Sequence, residues 1–179
     1  PKTSYKFGEE LDLNGAKIAI DRLKDDEEIA LTEDMIEGFT TEQLTENGIA
    51  TISFKEDGIE KTTSFEYTVE DYIKGITLNA PSKESYYLRE ELEIDDGSLA
   101  ITMASGETVA NVNLTDANVE VTGYNKDQLG TQTITVKYAG FTETFDVEVK
   151  DRLESVSIIG TPKTSYKFGE ELDLNGAKI

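Results

Sequence analysis

The first eighteen residues, Pro1 to Ile18 (PKTSYKFGEELDLNGAKI), recur letter for letter as Pro162 to Ile179. Between them lies a diverged copy, PSKESYYLREELEIDDGSLAI from Pro81 to Ile101, in which Tyr86, Leu88, Leu92 and Ile94 replace Tyr5, Phe7, Leu11 and Leu13. The tyrosines are thus spaced by 81 residues (Tyr5 to Tyr86) and then 80 (Tyr86 to Tyr166). The far end of each copy keeps the same step. FEYTVEDYIKGITLNAP from Phe65 parallels FDVEVKDRLESVSIIGTP from Phe145, with Ile73 matching Leu153 and Ile76 matching Val156. A fixed period of about 80 residues marks a tandem array of folded units. It predicts residues 1–72 as a unit lacking its first strand, 73–152 as a complete unit, and 153–179 as the first strands of a further one.

Inside the second copy the apolar residues alternate, which places them on one face of a pleated strand. Ile134, Val136 and Tyr138 alternate with Thr133, Thr135 and Lys137, and Phe145, Val147 and Val149 with Asp146, Glu148 and Lys150. A hairpin turned through Ala139-Gly140 follows. The first copy repeats it with Ile52 and Phe54, a turn at Asp57-Gly58, then Phe65, Tyr67 and Val69. Further strands are expected over Leu11 to Ile20, Leu92 to Met103, Ile29 to Leu31, Val112 to Leu114 and Val119 to Val121. A single helical turn is expected at Thr41 to Glu46. Six or seven short strands per repeat predict two packed sheets, so the expected fold is all-β: tandem sandwiches joined by short linkers. The linkers read as Asp71 to Gly75 and Asp151 to Ser155, with Ile73 and Leu153 packing against a neighbouring unit and limiting bending.

Composition removes most chemistry. The chain has 179 residues, no His, no Cys and no Trp, so no Ser-His-Asp or Cys-His nucleophile and no ordinary zinc site is expected. Asp and Glu number 37 against 17 Lys and Arg, a formal charge of −20. Such a charge repels phosphate backbones and anionic lipid, which predicts no nucleic-acid partner and no direct membrane insertion. No run of about eighteen apolar residues is present, so the sequence as given is expected neither to span a bilayer nor to supply its own export signal.

The spacing P-K-T-x-Y-x-x-G-E-x-L-D-L-x-G is carried here by Pro1, Lys2, Thr3, Tyr5, Gly8, Glu9, Leu11, Asp12, Leu13 and Gly15. Together with Gly123 to Gly140 (GYNKDQLGTQTITVKYAG) and the following F-x-V-x-V, it resembles the group 3 bacterial immunoglobulin-like domain. The resemblance implies a seven-stranded sandwich, repeated in secreted or wall-anchored surface proteins as a stalk or adhesive region, without catalysis of its own. The first copy departs from it: GFTTEQLTENGIATISFKEDG is longer and lacks Gly-Thr-Gln-Thr.

Three groups of residues are candidate sites. The acidic pairs Asp25, Asp26, Glu27, Glu28, then Glu9, Glu10, then Asp95, Asp96, are read as solvated surface, because a hard cation needs six to eight converging oxygens. Nor do the joints match, since Glu70-Asp71 corresponds to Lys150-Asp151-Arg152. Lys137 and Lys150 fall on outward positions, which argues against side-chain crosslinks. Tyr72, Tyr87 and Tyr124 could form an aromatic platform for sugar, but Tyr5 and Tyr86 read as core and Tyr124 matches Phe39, so packing is the preferred role. No catalytic, cofactor-binding or metal-binding residue and no cofactor is assigned. The expected role is a non-catalytic spacer of an extracellular, secreted or wall-anchored protein, whose partners are neighbouring repeats. The alternatives are a module recognising host protein or glycan, and a filament subunit that self-associates head to tail through residues 156–179.

Overall fold

In a computed structural model describing residues 1–160, 163–174 and 178, the chain is built from β-strands with one short 3-10 turn. The first seven strands are β1 (Ser4–Lys6), β2 (Lys17–Ile20), β3 (Glu27–Ala30), β4 (Ile36–Glu37), β5 (Thr45–Glu56), β6 (Ile59–Glu70) and β7 (Ile73–Asn79). The remainder are β8 (Ser85–Tyr87), β9 (Ser98–Met103), β10 (Val112–Asn113), β11 (Glu120–Thr122), β12 (Gly130–Tyr138) and β13 (Phe141–Lys150). They form four sheets, ordered β1-β6-β5-β4, β2-β3, β10-β9-β7 and β11-β12-β13-β8.

Both hairpins turn as expected, and the turn geometry says why. Asp57 and Gly58 have φ of 49° and 79°, Ala139 and Gly140 of 48° and 86°. Two successive positive φ values match the right-handed twist of the flanking strands, and Asp-Gly is the cheapest pair to place there. Along β12, Gln132, Ile134 and Val136 are buried while their neighbours face out, and Ile134 pairs with Phe145 across the hairpin. The alternation read in the sequence is the observed one.

Apolar side chains from 5–69 and from 73–149 gather into separate clusters. Ala16, Leu31 and Ile52 join Leu13, Ile18 and Phe65 between the first two sheets, beside a cluster of Tyr5, Ala50, Tyr67 and Val69. Ile76, Leu99, Leu114 and Val136 fill the space between the other two, beside Tyr86, Ile134, Val147 and Val149. The two halves match in detail. Leu31 N–H donates to Ala16 C=O at 3.0 Å and Leu114 N–H to Gly97 C=O at 3.1 Å, each seating a buried leucine at an equivalent place.

Several expected elements are shorter or elsewhere. The strands expected over Leu11 to Ile20 and Leu92 to Met103 begin only at Lys17 and Ser98. A turn interrupts each: Ala16 N–H donates to Leu13 C=O at 2.9 Å, and Gly97 N–H to Ile94 C=O at 3.0 Å. Asn14-Gly15 and Asp95-Asp96 favour such turns, and the apolar residues before them pack from irregular backbone instead. The helical turn lies at Glu33–Met35, not Thr41 to Glu46, where the chain bends and enters β5. The linker is shorter than Asp71 to Gly75, because Ile73 already starts β7. Ile73 packs in the Ile76 cluster, and Leu153 is exposed, so neither plays the bridging role expected of it. Of the strands expected in 153–179, positions 161, 162, 175–177 and 179 lie outside the described residues; elsewhere in it a single antiparallel bridge joins Ile159 to Lys178.

The missing Gly-Thr-Gln-Thr of the first copy has a structural substitute. In the second half, buried Gln132 holds the preceding loop: its Oε1 accepts from Asn125 N–H at 2.6 Å, and its Nε2 donates to the carbonyls of Asn125 (2.8 Å) and Gln128 (2.7 Å). Its counterpart is Gly48, opposite Tyr67 as Gln132 is opposite Val147. The Tyr67 ring fills the vacated space, and its hydroxyl accepts from Thr40 N–H at 3.1 Å and donates to Gly38 C=O at 3.3 Å. A Cβ on Gly48 would lie 2.6 Å from that ring. Gly48→Ala is therefore expected to destabilise the fold by about 1–3 kcal/mol through overpacking. Gln132→Ala is expected to cost a similar ~1–3 kcal/mol by stranding buried polar groups. Urea denaturation of each variant measures both.

Candidate functional site

The residues with the most polar organisation are those of the repeated opening segment. In each copy a lysine, a tyrosine three positions on and a glutamate four further on close one loop. Lys83 pairs with Glu90 and sits 4.6 Å from the Tyr86 ring centroid, and the Tyr86 hydroxyl donates to Glu93 C=O at 3.1 Å and accepts from Glu93 N–H at 3.3 Å. Glu90 also accepts from Tyr87 N–H at 2.8 Å. Lys2, Tyr5 and Glu9 repeat the arrangement, with Asp12 N–H donating to the Tyr5 hydroxyl at 3.4 Å. Lys163, Tyr166 and Glu170 repeat it again, with the Tyr166 hydroxyl donating to Asp173 C=O at 3.0 Å. A cation over a ring, a carboxylate clamping two donors and a satisfied phenol are structural contacts. The motif was visible as a recurrence, but nothing in residue type said that it was a hydrogen-bonded corner.

The corner is docked by strand pairing. β1 lies parallel to β6, with Tyr5 opposite Val69, and β8 lies parallel to β13, with Tyr86 opposite Val149. Both rings are 1% exposed. Phe39 meets Tyr5 edge-on at 4.9 Å, and Tyr124 meets Tyr86 at 5.4 Å, donating its hydroxyl to Glu90 C=O. Tyr124 is thus the packing ring expected from its match to Phe39. Tyr72 and Tyr87 are exposed, and Tyr72 has Lys6 Nζ 5.5 Å from its ring. Among the described residues no ring contact joins Tyr72, Tyr87 and Tyr124.

The acidic pairs are likewise dispersed. Glu27 and Glu56 flank Arg22, Glu28 pairs with Lys17, and Asp96 accepts from Ser82 N–H at 3.0 Å. Among the described residues no three carboxylates are grouped to hold a metal ion. Lys137 pairs with Glu120 and Lys150 with Glu148, all four exposed.

A contact that sequence reasoning missed lies between β6 and β7. Asp71 Oδ2 accepts from Ser105 Oγ at 2.5 Å, and its Oδ1 accepts from the backbone N–H of Ser105 (3.1 Å) and Tyr72 (2.8 Å). Ala104 N–H donates to Tyr72 C=O at 2.9 Å. The joint residues are therefore bound to the loop after β9. No signal could have paired Asp71 with a serine 34 positions away.

Residues 79–149 match the family described as Bacterial Ig-like domain (group 3). That segment is a group 3 bacterial Ig-like domain. The resemblance read in the sequence is borne out over that span, which takes in β8 to β12 and all of β13 but Lys150. Pectate lyase L of Thermoclostridium stercorarium is 24% identical over 192 residues, taking in 99% of this chain and 15% of that protein. The chain thus spans a small part of that relative's length. A solution structure described as "a putative surface protein" is 27% identical and covers 49% of this chain and 98% of its own, with a TM-score of 0.31. No helix among the described residues is long and apolar enough to cross a membrane.

The corner sets a pH dependence. The Lys83 hydrogen bond, then that from Tyr87 N–H, hold Glu90 below the ordinary glutamate value of 4.5, and Lys2 and Lys6 N–H do the same for Glu9. The Ser105 hydroxyl lowers Asp71 below 3.8. A carboxylate whose folded pKa is depressed contributes stability above its unfolded value, and that contribution disappears as pH falls through the folded one. Melting temperature is expected to drop as pH is lowered below about 4.5. Glu90→Gln should flatten that drop, as followed by circular dichroism.

Proposed function

We propose that this chain is a non-catalytic structural stretch of a secreted or cell-wall-anchored bacterial surface protein. On this reading residues 1–72 and 73–152 are Ig-like units and 153–179 opens another, and neighbouring repeats are their partners. The units space or present an adhesive region borne elsewhere in the protein.

The observation that carries this is the joint. Only Asp71 and Tyr72 separate β6 from β7, and both are hydrogen-bonded to the loop after β9. A linker this short and this tied transmits orientation, where a glycine-serine linker would not. Almost all of the negative charge lies before residue 156, so successive units repel and remain soluble. The family match over 79–149 supports an Ig-like unit without its own chemistry.

The match to a pectate lyase favours a second setting for the same role, as an accessory segment of an extracellular enzyme acting on polysaccharide. Pectate is a polyanion, and a chain of charge −20 is electrostatically unsuited to grip it, which favours spacing over substrate binding there too.

Backbone ¹⁵N relaxation tests the reading. The residues of 4–70 and 73–150 are expected to share one rotational correlation time, and Asp71→Ala with Ser105→Ala to split it into two faster ones. Independent tumbling of the unaltered chain would remove the spacer role, and specific capture of the chain on a glycan or matrix-protein array would replace it with a recognition role.

A further inference from the structure

Asparagine precedes glycine at Asn14-Gly15, Asn47-Gly48 and Asn175-Gly176, the last outside the described residues. The glycine matters chemically, because without a Cβ its amide nitrogen can be approached by the side chain of the asparagine before it. The structure treats the first two pairs oppositely. Asn14 and Gly15 form the exposed middle of the turn closed by Ala16 N–H on Leu13 C=O. Gly15 has φ of 69°, and nothing lies within 4 Å of the place a Cβ would take. Among the described residues neither the Asn14 carboxamide nor the Gly15 N–H has a hydrogen-bond partner; only the Asn14 N–H is held, by Asp12 Oδ1 at 2.9 Å.

Asn47-Gly48 is built into β5 instead. Gly48 is half-buried opposite Tyr67, whose ring lies where a Cβ would be, and Asn47 N–H donates to Thr45 Oγ1 at 3.2 Å. Turning that peptide toward the Asn47 side chain means drawing it from under the ring and out of its pairing with β6. The second half of the chain adds a further observation. Asp95 stands at the place of Asn14 in the equivalent turn, closed by Gly97 N–H on Ile94 C=O, and is exposed. A carboxylate is therefore compatible with this turn.

We propose that Asn14 is a modification site, which the fold leaves open to conversion into aspartate and isoaspartate while it shields Asn47. The Gly15 nitrogen bonds to Asn14 Cγ, the Cγ–Nδ2 bond breaks, and the amide nitrogen leaves as ammonia with the proton that Gly15 gives up. Water, the only co-reactant, then opens the cyclic imide. Its oxygen bonds to one imide carbonyl carbon, that carbon's bond to the Gly15 nitrogen breaks, and the nitrogen recovers a proton. Opening at Cγ yields aspartate, matching Asp95. Opening at the main-chain carbonyl yields isoaspartate, whose backbone runs through Cγ and is longer by a methylene. That extra length falls beside buried Ala16, whose C=O accepts from Leu31 N–H at 3.0 Å. The isoaspartyl form therefore unseats the start of β2, and either form adds a negative charge.

Peptide mapping by mass spectrometry tests it, after the folded chain has been incubated in mildly alkaline heavy-oxygen water. Residues 7–17 and 168–178 have the same sequence between tryptic sites, so the measurement is made on the Asn175→Gln chain. Conversion at Asn14 is expected to be at least about tenfold faster than at Asn47, with solvent oxygen in the product, and in urea the two rates should converge. Isoaspartyl methyltransferase should label the aged chain at this peptide. The labelled fraction should melt below fresh protein, whereas Asn14→Asp should melt close to it. Conversion of Asn14 no faster than that of Asn47 in the folded chain, or an excess that survives in urea, overturns the proposal. An isoaspartyl fraction as stable as the parent overturns the effect on β2.

Discussion

A tyrosine hydroxyl bound to the backbone seven residues further on organises this protein. In Tyr86 the ring is closed off from water between β8 and the β12–β13 hairpin, and the hydroxyl takes both backbone groups of Glu93. Burying a phenol without a partner costs several times what an ordinary hydrogen bond returns, so the chain must curl back at that spacing. Desolvation accordingly raises the Tyr86 pKa, as it does that of Tyr5. The curl places Leu88 and Leu92 against the Tyr86 cluster and directs the chain toward the opposite sheet, where β9 starts. Lys83 and Glu90 then seal the outside of the corner.

Much of the architecture was legible because alternation and repetition are additive signals. Ile134, Val136, Val147 and Val149 announce a hairpin with one wet face, and the Asp57-Gly58 turn needs no tertiary information. What stayed hidden was set by partners far away in sequence. Leu11, Leu13, Leu92 and Ile94 alternate like strand residues, yet the turns that follow them leave them packing from irregular backbone. Leu153 resembles Ile73 in the alignment of repeats, but Ile73 has β9 beside it and Leu153 does not. The Asp71 to Ser105 contact joins two residue types that are common on any surface. Among candidate sites, the pairing of Tyr124 with Tyr86 could be inferred from Phe39, whereas the dispersal of the acidic groups among Arg22, Lys17 and Ser82 could not.

The exchange of Gln132 and Val147 for Gly48 and Tyr67 shows how a diverging repeat keeps its shape. One loop needs an acceptor for the backbone N–H of Asn125 or Thr40. In one half an amide on the facing strand position supplies it; in the other a phenol from the adjacent strand reaches over a glycine. Neither member of either pair can change alone without leaving a void, a clash or an unpaired backbone group.

The third copy of the corner, around Tyr166, forms with little around it: its ring is only half-buried, and Phe168 beside it is fully exposed. Its contacts nonetheless span no more than seven residues. Closing so small a loop sacrifices little chain entropy, in contrast to aligning strands drawn from opposite ends of a repeat. As a polypeptide of such repeats begins to fold, each corner would gather itself first, giving the later hairpin a ready-made nucleus to zip onto.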